Sequence, residues 1–190
     1  MTEIPEIFVS HSAKDLEYRL YISDICNLAK TRPIFEELEK IVAGDYTFWY
    51  SIVAHIERAK AVFVILSQNI QEEENKHTRD WIVWETGVAA AQYKAVWVLE
   101  PYSEFGKKSV VIPYLTDYML FENSNECKIY LKNIIESYSN PSISRPRGIN
   151  FAPTCQKCKN TYGVHIPPYT KSFRCPICNE NIANPNITLS

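Results

Sequence analysis

Residues 79–92 read RDWIVWETGVAAAQ. At helical spacing Trp81, Trp84, Glu85 and Val88 fall at i, i+3, i+4 and i+7, so one face carries two indoles, a valine and a carboxylate. The small residues that follow, Gly87 and Ala89 to Ala91, suit a helix lying close against a sheet. A carboxylate on a face meant for burial is costly unless something binds it or its pKa shifts. Glu85 is therefore the first residue to ask for chemistry. No nearby pair of carboxylates stands out as acid and base, so chemistry in this part of the chain would run on one carboxylate.

A second chemical signal lies near the C-terminus. Cys155-x2-Cys158 and Cys175-x2-Cys178 are separated by sixteen residues, a spacing that lets two thiolate knuckles close on one tetrahedral ion. Zinc is the expected metal. A segment of fewer than about forty residues builds no stable core unaided, so the ion would stand in for one. Its expected role is structural, with docking of a protein partner as the alternative. His165 lies between the pairs, but four cysteines already complete the shell.

Other chemistries are excluded by what is missing. The five glycines form neither GxGxxG nor a phosphate-cradling loop, and HExxH and GxSxG are absent.

The elements that must position these residues alternate strand and helix. Apolar runs at 7–10 (IFVS), 33–36 (PIFE), 61–66 (AVFVIL), 95–99 (AVWVL) and 117–121 (DYMLF) read as five strands. Ser12 with Asp15 reads as the cap of a first helix striped by Tyr18, Tyr21, Ile22, Ile25 and Leu28. Trp49, Ile52, Val53 and Ile56 stripe a second helix. Asn123 and Glu126 are the expected cap of a last helix, with Leu131, Ile134, Ile135 and Tyr138 on its buried side. The alternation predicts an α/β domain over 1–138: a five-stranded parallel sheet, taken in the order 2-1-3-4-5, with helices on both faces. A Ser/Pro/Asn-rich linker at 139–153 leads to a small zinc ribbon at 154–190.

In such a sheet, ligands bind outside the carboxyl ends of strands 1 and 3, where the order reverses. Ser10, His11, Ser67 and Gln68 sit there, and the loop after strand 2 brings Phe48 and Trp49 to the same edge. Read singly, each is ordinary: a cap, a turn residue, a piece of core. Their convergence with Glu85 on one crevice is the signal.

Composition bounds the partners. The chain has 190 residues, 46% hydrophobic and 22% charged, with a formal net charge of −2. No basic excess draws it to nucleic acid or to an anionic membrane. MTEIPEIFVS lacks the pattern of a secretory signal, and the longest apolar runs are too short to span a bilayer. Six cysteines without a disulfide framework fit a reducing, cytoplasmic setting.

With these residues in hand, the chain resembles a known family. IFVSHSAKD, AKAVFVILSQN and Trp81-x3-Glu85 before an alanine-rich helix are similar to bacterial and archaeal TIR (Toll/interleukin-receptor) domains, over roughly residues 5 to 138. The resemblance implies a flavodoxin-like fold and cleavage of the nicotinamide–ribose bond of NAD+, with release of nicotinamide and either ADP-ribose or a cyclic isomer, in microbial signalling or antiphage defence. It implies Glu85 as the catalytic carboxylate, Trp81 against the substrate's aromatic end, and Ser10 and His11 lining the site. Self-association through TIR–TIR contacts is implied too, with the loop after strand 2 of one subunit completing its neighbour's site. That loop, KIVAGDYTFW, lacks the proline common there. Nicotinamide in NAD+ is already a cationic leaving group, so one ionised glutamate steadying an oxocarbenium-like sugar suffices; ordinary glycoside hydrolysis uses two carboxylates. The indoles can stack on the cationic ring. Two alternatives stand beside this reading. One is a TIR scaffold that signals without chemistry, its Glu85 held in a structural salt bridge. The other is an enzyme acting on another N-glycoside.

Overall fold

A computed structural model describes residues 4–36, 46–71, 76–104, 111–140, 142, 152–167 and 169–185, without the side chains of 46–48, 76 and 77. The elements run β1 (Glu6–Ser10), α1 (Leu16–Leu28), β2 (Arg32–Phe35), α2 (Tyr46–Arg58), β3 (Ala61–Ile65), α3 (Gln68–Gln71), α4 (Lys76–Ala91) and β4 (Ala95–Pro101). A 3-10 turn (Tyr102–Glu104), β5 (Asp117–Phe121), α5 (Asn125–Ser139), β6 (Gly163–His165), β7 (Ser172–Arg174) and β8 (Asn181–Ala183) complete the chain.

The main sheet is parallel, in the order β2-β1-β3-β4-β5-β6. Every residue of β1 and β3 is buried, as central strands covered on both faces must be. Alternation splits their side chains between two cores. Phe8, Val62, Val64 and Val98 face α2 and α4. Ile7, Val9, Phe63 and Leu99 face α1 and α5. Among the described residues no helix is long and apolar enough to cross a membrane.

The sheet has six strands where the sequence predicts five. The extra strand comes from the cysteine segment: Asp117, Tyr118 and Met119 of β5 pair with Gly163, Val164 and His165 of β6. Phe173 stacks on Tyr118 at 5.7 Å between centroids, and the Ile112 amide donates to the Pro176 carbonyl at 2.8 Å. Cys155, Phe173 and Cys175 thus belong to the same apolar cluster as Val64 and Ile82. A boundary drawn at 153/154 falls inside that shared core, because three-residue strands and two knuckles cover too little apolar surface alone. At Gly163 the fit is close. A Cβ there would run into the Asp117 carboxylate, which lies 3.2 Å from the His165 Nε2.

Helix ends differ in detail from the expectation. Helix α1 starts at Leu16 behind Asp15, and the Asp15 carboxylate turns away from the helix amides. Ser12 serves the turn before it, its carbonyl accepting the Asp15 amide at 2.9 Å. The last helix is capped by Ser124 rather than Asn123, its extended backbone aiming Oγ at the Cys127 amide, 3.2 Å away. Leu28 is 63% exposed, and Cys26 takes its expected place in the stripe.

Candidate functional site

Strand β1 has β2 on one side and β3 on the other, so the chain reverses direction of travel across the sheet beside Ser10. The crevice at that point collects the loops after β1 and β3. Helix α4 crosses above it. With α4 beginning at Lys76, Glu85 stands in its third turn, and its side chain reaches the end of β1.

Glu85 is 2% exposed. The Ser10 hydroxyl donates to its Oε2 and the Trp81 Nε1–H to its Oε1, the latter at 2.7 Å. Among the described residues no cation pairs with it. Burial dominates its acidity and pushes its pKa up to about 8, against the two hydrogen bonds, which pull it down; the charge of Glu36 adds to the rise. A structural carboxylate in a core is ordinarily matched by a cation. Among the described residues this one has two neutral donors.

Trp81 does more than pack. Its ring lies 4.6 Å from Trp49 and 5.1 Å from Trp84, and Trp49 lies 5.0 Å from Trp84, giving three indoles in mutual contact beside the carboxylate. Trp49 is the outer member at 40% exposed, so it stands at the surface of the site instead of in the core. The structure therefore brings together Glu85, Ser10, Trp81 and Trp49. His11 is buried next to them in sequence; its Nδ1–H donates to the Val9 carbonyl at 3.1 Å and its ring meets Phe35 edge-on at 5.3 Å. The Phe48 side chain and the loop at 37–45 lie outside the described residues.

Two carboxylates near the crevice are not among the expected site residues, and Asp15 is expected only as part of a helix cap. Asp15 is buried; its Oδ2 accepts the Ser12 amide at 3.0 Å and its Oδ1 accepts the Asn69 side-chain amide at 2.7 Å. Burial raises its pKa above the ordinary carboxylate value, against these bonds. It pins the loop after β1 to α3. Glu104 accepts the backbone amide of Gln68 and, at 2.8 Å, the Tyr18 hydroxyl, tying the loop after β3 to the end of β4 and to α1. The Ser-x-x-Asp pattern in SHSAKD is visible in the sequence, but capping explains it equally well. Glu104 gives no local signal at all.

The cysteine site is separate. The four sulfurs lie within 4.8 Å of one another, with Cys155 and Cys178 3.5 Å apart and Cys158 and Cys175 3.8 Å apart. Thiolates at the vertices of a tetrahedral zinc site, each about 2.3 Å from the ion, are spaced by about 3.8 Å. The geometry fits a metal such as zinc. Two like knuckles build it. The Lys159 and Asn179 amides donate to the Cys155 and Cys175 carbonyls at 2.9 and 2.8 Å, with φ of 59° and 62°. Both occupy the left-handed position that glycine favours. His165 is no ligand: its Nδ1 lies 2.5 Å from the Tyr130 hydroxyl, and its Nε2 faces Asp117.

Neither a protein-family model nor a curated protein matches this chain. Among solved structures, the 2-deoxyribosyltransferase of the psychrotolerant bacterium Bacillus psychrosaccharolyticus is similar at 16% identity and a TM-score of 0.45, over 73% of this chain and 95% of that one. A likeness of that size concerns the course of the chain and not its chemistry.

Proposed function

We propose that this chain is an enzyme that breaks an N-glycosidic bond, with Glu85 as its catalytic carboxylate. One observation carries the reading: Glu85 is buried at the crevice with two neutral donors and, among the described residues, no counter-ion. Such an arrangement costs stability and is suited to a cation that arrives with the reaction, the oxocarbenium-like sugar left when the base departs. In a water-poor site the carboxylate acts on that charge with little screening. Ser10 and Trp81 orient its two oxygens, and the indoles of Trp81 and Trp49 offer faces for the departing ring.

NAD+ is the substrate that the TIR resemblance implies. Its pyridinium leaves without a proton, so Glu85 acts ionised, and the incoming positive charge lowers its pKa on binding. A second reading is an uncharged nucleoside, and the raised pKa favours it. At neutral pH Glu85 holds a proton in the empty site, and an uncharged base needs one as it leaves. The four cysteines hold their metal for folding in this reading, and no step runs through it.

The experiment is chromatography of purified protein with NAD+ and with a panel of ribo- and deoxyribonucleosides, read as base released. The expected result is release from one class, lost in Glu85→Gln. Second-order rate constants that rise with pH through about 8 identify the ionised form, and ones that fall identify the proton donor. Release from none of these by folded protein, at concentrations that favour assembly, would leave the scaffold reading.

A further inference from the structure

A cavity of about 480 Å3 opens at the carboxyl ends of β4 and β5, on the sheet face covered by α1 and α5. It lies on the opposite face from α4 and its Glu85, and nothing in the proposed reaction uses it. Its walls are aromatic. Tyr18 and Tyr21 come from α1, Tyr102 from the 3-10 turn, and Phe121 from the end of β5. Tyr21 stacks on Phe121 at 5.6 Å, and Tyr18 meets the same ring edge-on at 5.7 Å. Their hydroxyls are tied, Tyr18 to Glu104 at 2.8 Å and Tyr21 to the Glu122 carbonyl at 3.1 Å, which fixes both rings.

The charges around these rings are mostly of one sign. Among the described residues Glu17, Asp24 and Glu122 line the cavity against a single cation, Lys128. The Glu122 carboxylate accepts the Tyr169 hydroxyl, so a residue of the cysteine segment braces this wall. Lys128 reports what the rings attract: its ammonium sits 5.3 Å from the centroid of Tyr21. Aromatic faces carry a negative potential, and carboxylates at the rim add to it. An anion would meet three carboxylates and an occupied lysine. A neutral apolar ligand would leave those carboxylates desolvated and unpaired.

We propose that this cavity binds a small organic cation of the ammonium type, held on the Tyr21 face, with Lys128 as the internal occupant that the ligand displaces. The volume lies within the range of small-molecule sites, and recognition of alkylated ammonium groups by fixed aromatic rings is the established use of such walls. The inference is independent of the N-glycosidic reading, because it draws on neither Glu85 nor the Ser10, Trp81 and Trp49 side chains around it.

Choline and 3,3-dimethylbutan-1-ol test it, since the two share a shape and differ in charge. Binding to the full chain is followed by calorimetry and by the upfield ring-current shift of the methyl protons. Choline should bind roughly tenfold or more tightly than its neutral counterpart. Lys128→Gln should tighten choline by removing its competitor, and Asp24→Asn, at an exposed position, should loosen it. Tyr21→Leu should abolish the ring-current shift in protein whose melting shows it to be folded. Choline binding should persist in Glu85→Gln, which separates this cavity from the crevice. Equal binding of the two probes, weaker choline binding in Lys128→Gln, or inorganic phosphate bound in preference to choline would each overturn the proposal.

Discussion

Glu85→Gln tests the account of the crevice through stability before any substrate is known. The pKa of Glu85 is raised by burial from 4.5 in the unfolded chain to about 8 in the fold. Between those values the folded protein holds a proton that the unfolded chain has released, so stability falls as pH rises. The contribution of the protonated acid is fully present below about 4.5 and is gone once pH passes about 8. At 1.36 kcal/mol per pH unit the loss is about 3 kcal/mol by pH 7 and approaches about 5 kcal/mol in mild alkali. Glutamine imitates the protonated acid. Its oxygen can accept from Trp81 Nε1, and its amide can donate to the Ser10 hydroxyl, which reverses its role at no cost in geometry. The variant should therefore lack this slope. Urea melts of both proteins at about pH 5, 7 and 9 should show the variant gaining on wild type by roughly 3 kcal/mol across the first interval. The same substitution should lower the rate on the order of a hundredfold or more, about 3 kcal/mol of transition-state stabilisation. A variant less stable by the same amount at every pH would mean that Glu85 is ionised and paired in the fold. Wild-type turnover by folded variant would remove it from the chemistry.

Three further outcomes rest on the geometry and one on assembly. Ser10→Ala removes a donor that lowers the Glu85 pKa, so the pH–rate profile should move upward by about one pH unit, with a smaller loss of rate at high pH. Lys159→Gly relieves a left-handed residue at φ 59° and should stabilise the metal-loaded protein by up to about 1 kcal/mol in thermal melts; Asn179→Gly, where asparagine already tolerates αL, should gain less. Metal analysis should find close to one zinc per chain, lost in Cys155→Ser with Cys175→Ser, and chelation should raise amide exchange in β5 as well as in the knuckles, because β5 is bonded to β6; protection of β5 untouched by chelation would show the segment to be energetically separate. If subunits complete one another's sites, as the TIR resemblance implies, the rate should rise more steeply than linearly with protein concentration, and strict proportionality in protein shown to be monomeric would count against it.

The five apolar runs and the helical stripes between them determined the parallel sheet, because burial on both faces leaves continuous apolar strands in the sequence. Cysteine spacing alone determined the four-sulfur site, since two tight knuckles need nothing from the rest of the chain to converge. Spacing also placed Trp81 and Glu85 on one helical face, one turn apart. What the sequence could not show was joined by contacts far apart in the chain. The Ser10 donor reaches Glu85 across 75 residues, and Glu104 meets Tyr18 across 86; no local pattern records such pairs. The sixth strand was hidden for another reason. GVH is three residues long, too short for a period to register, and it becomes a strand only because the open edge of β5 offers it partners. The turns were obscured by a scarcity of glycine. Lys30, Tyr93, Lys159 and Asn179 take left-handed positions that a glycine would have announced. The size of the Glu85 pKa shift was decided by the tertiary structure, since burial, its largest cause, depends on every group that covers the carboxylate.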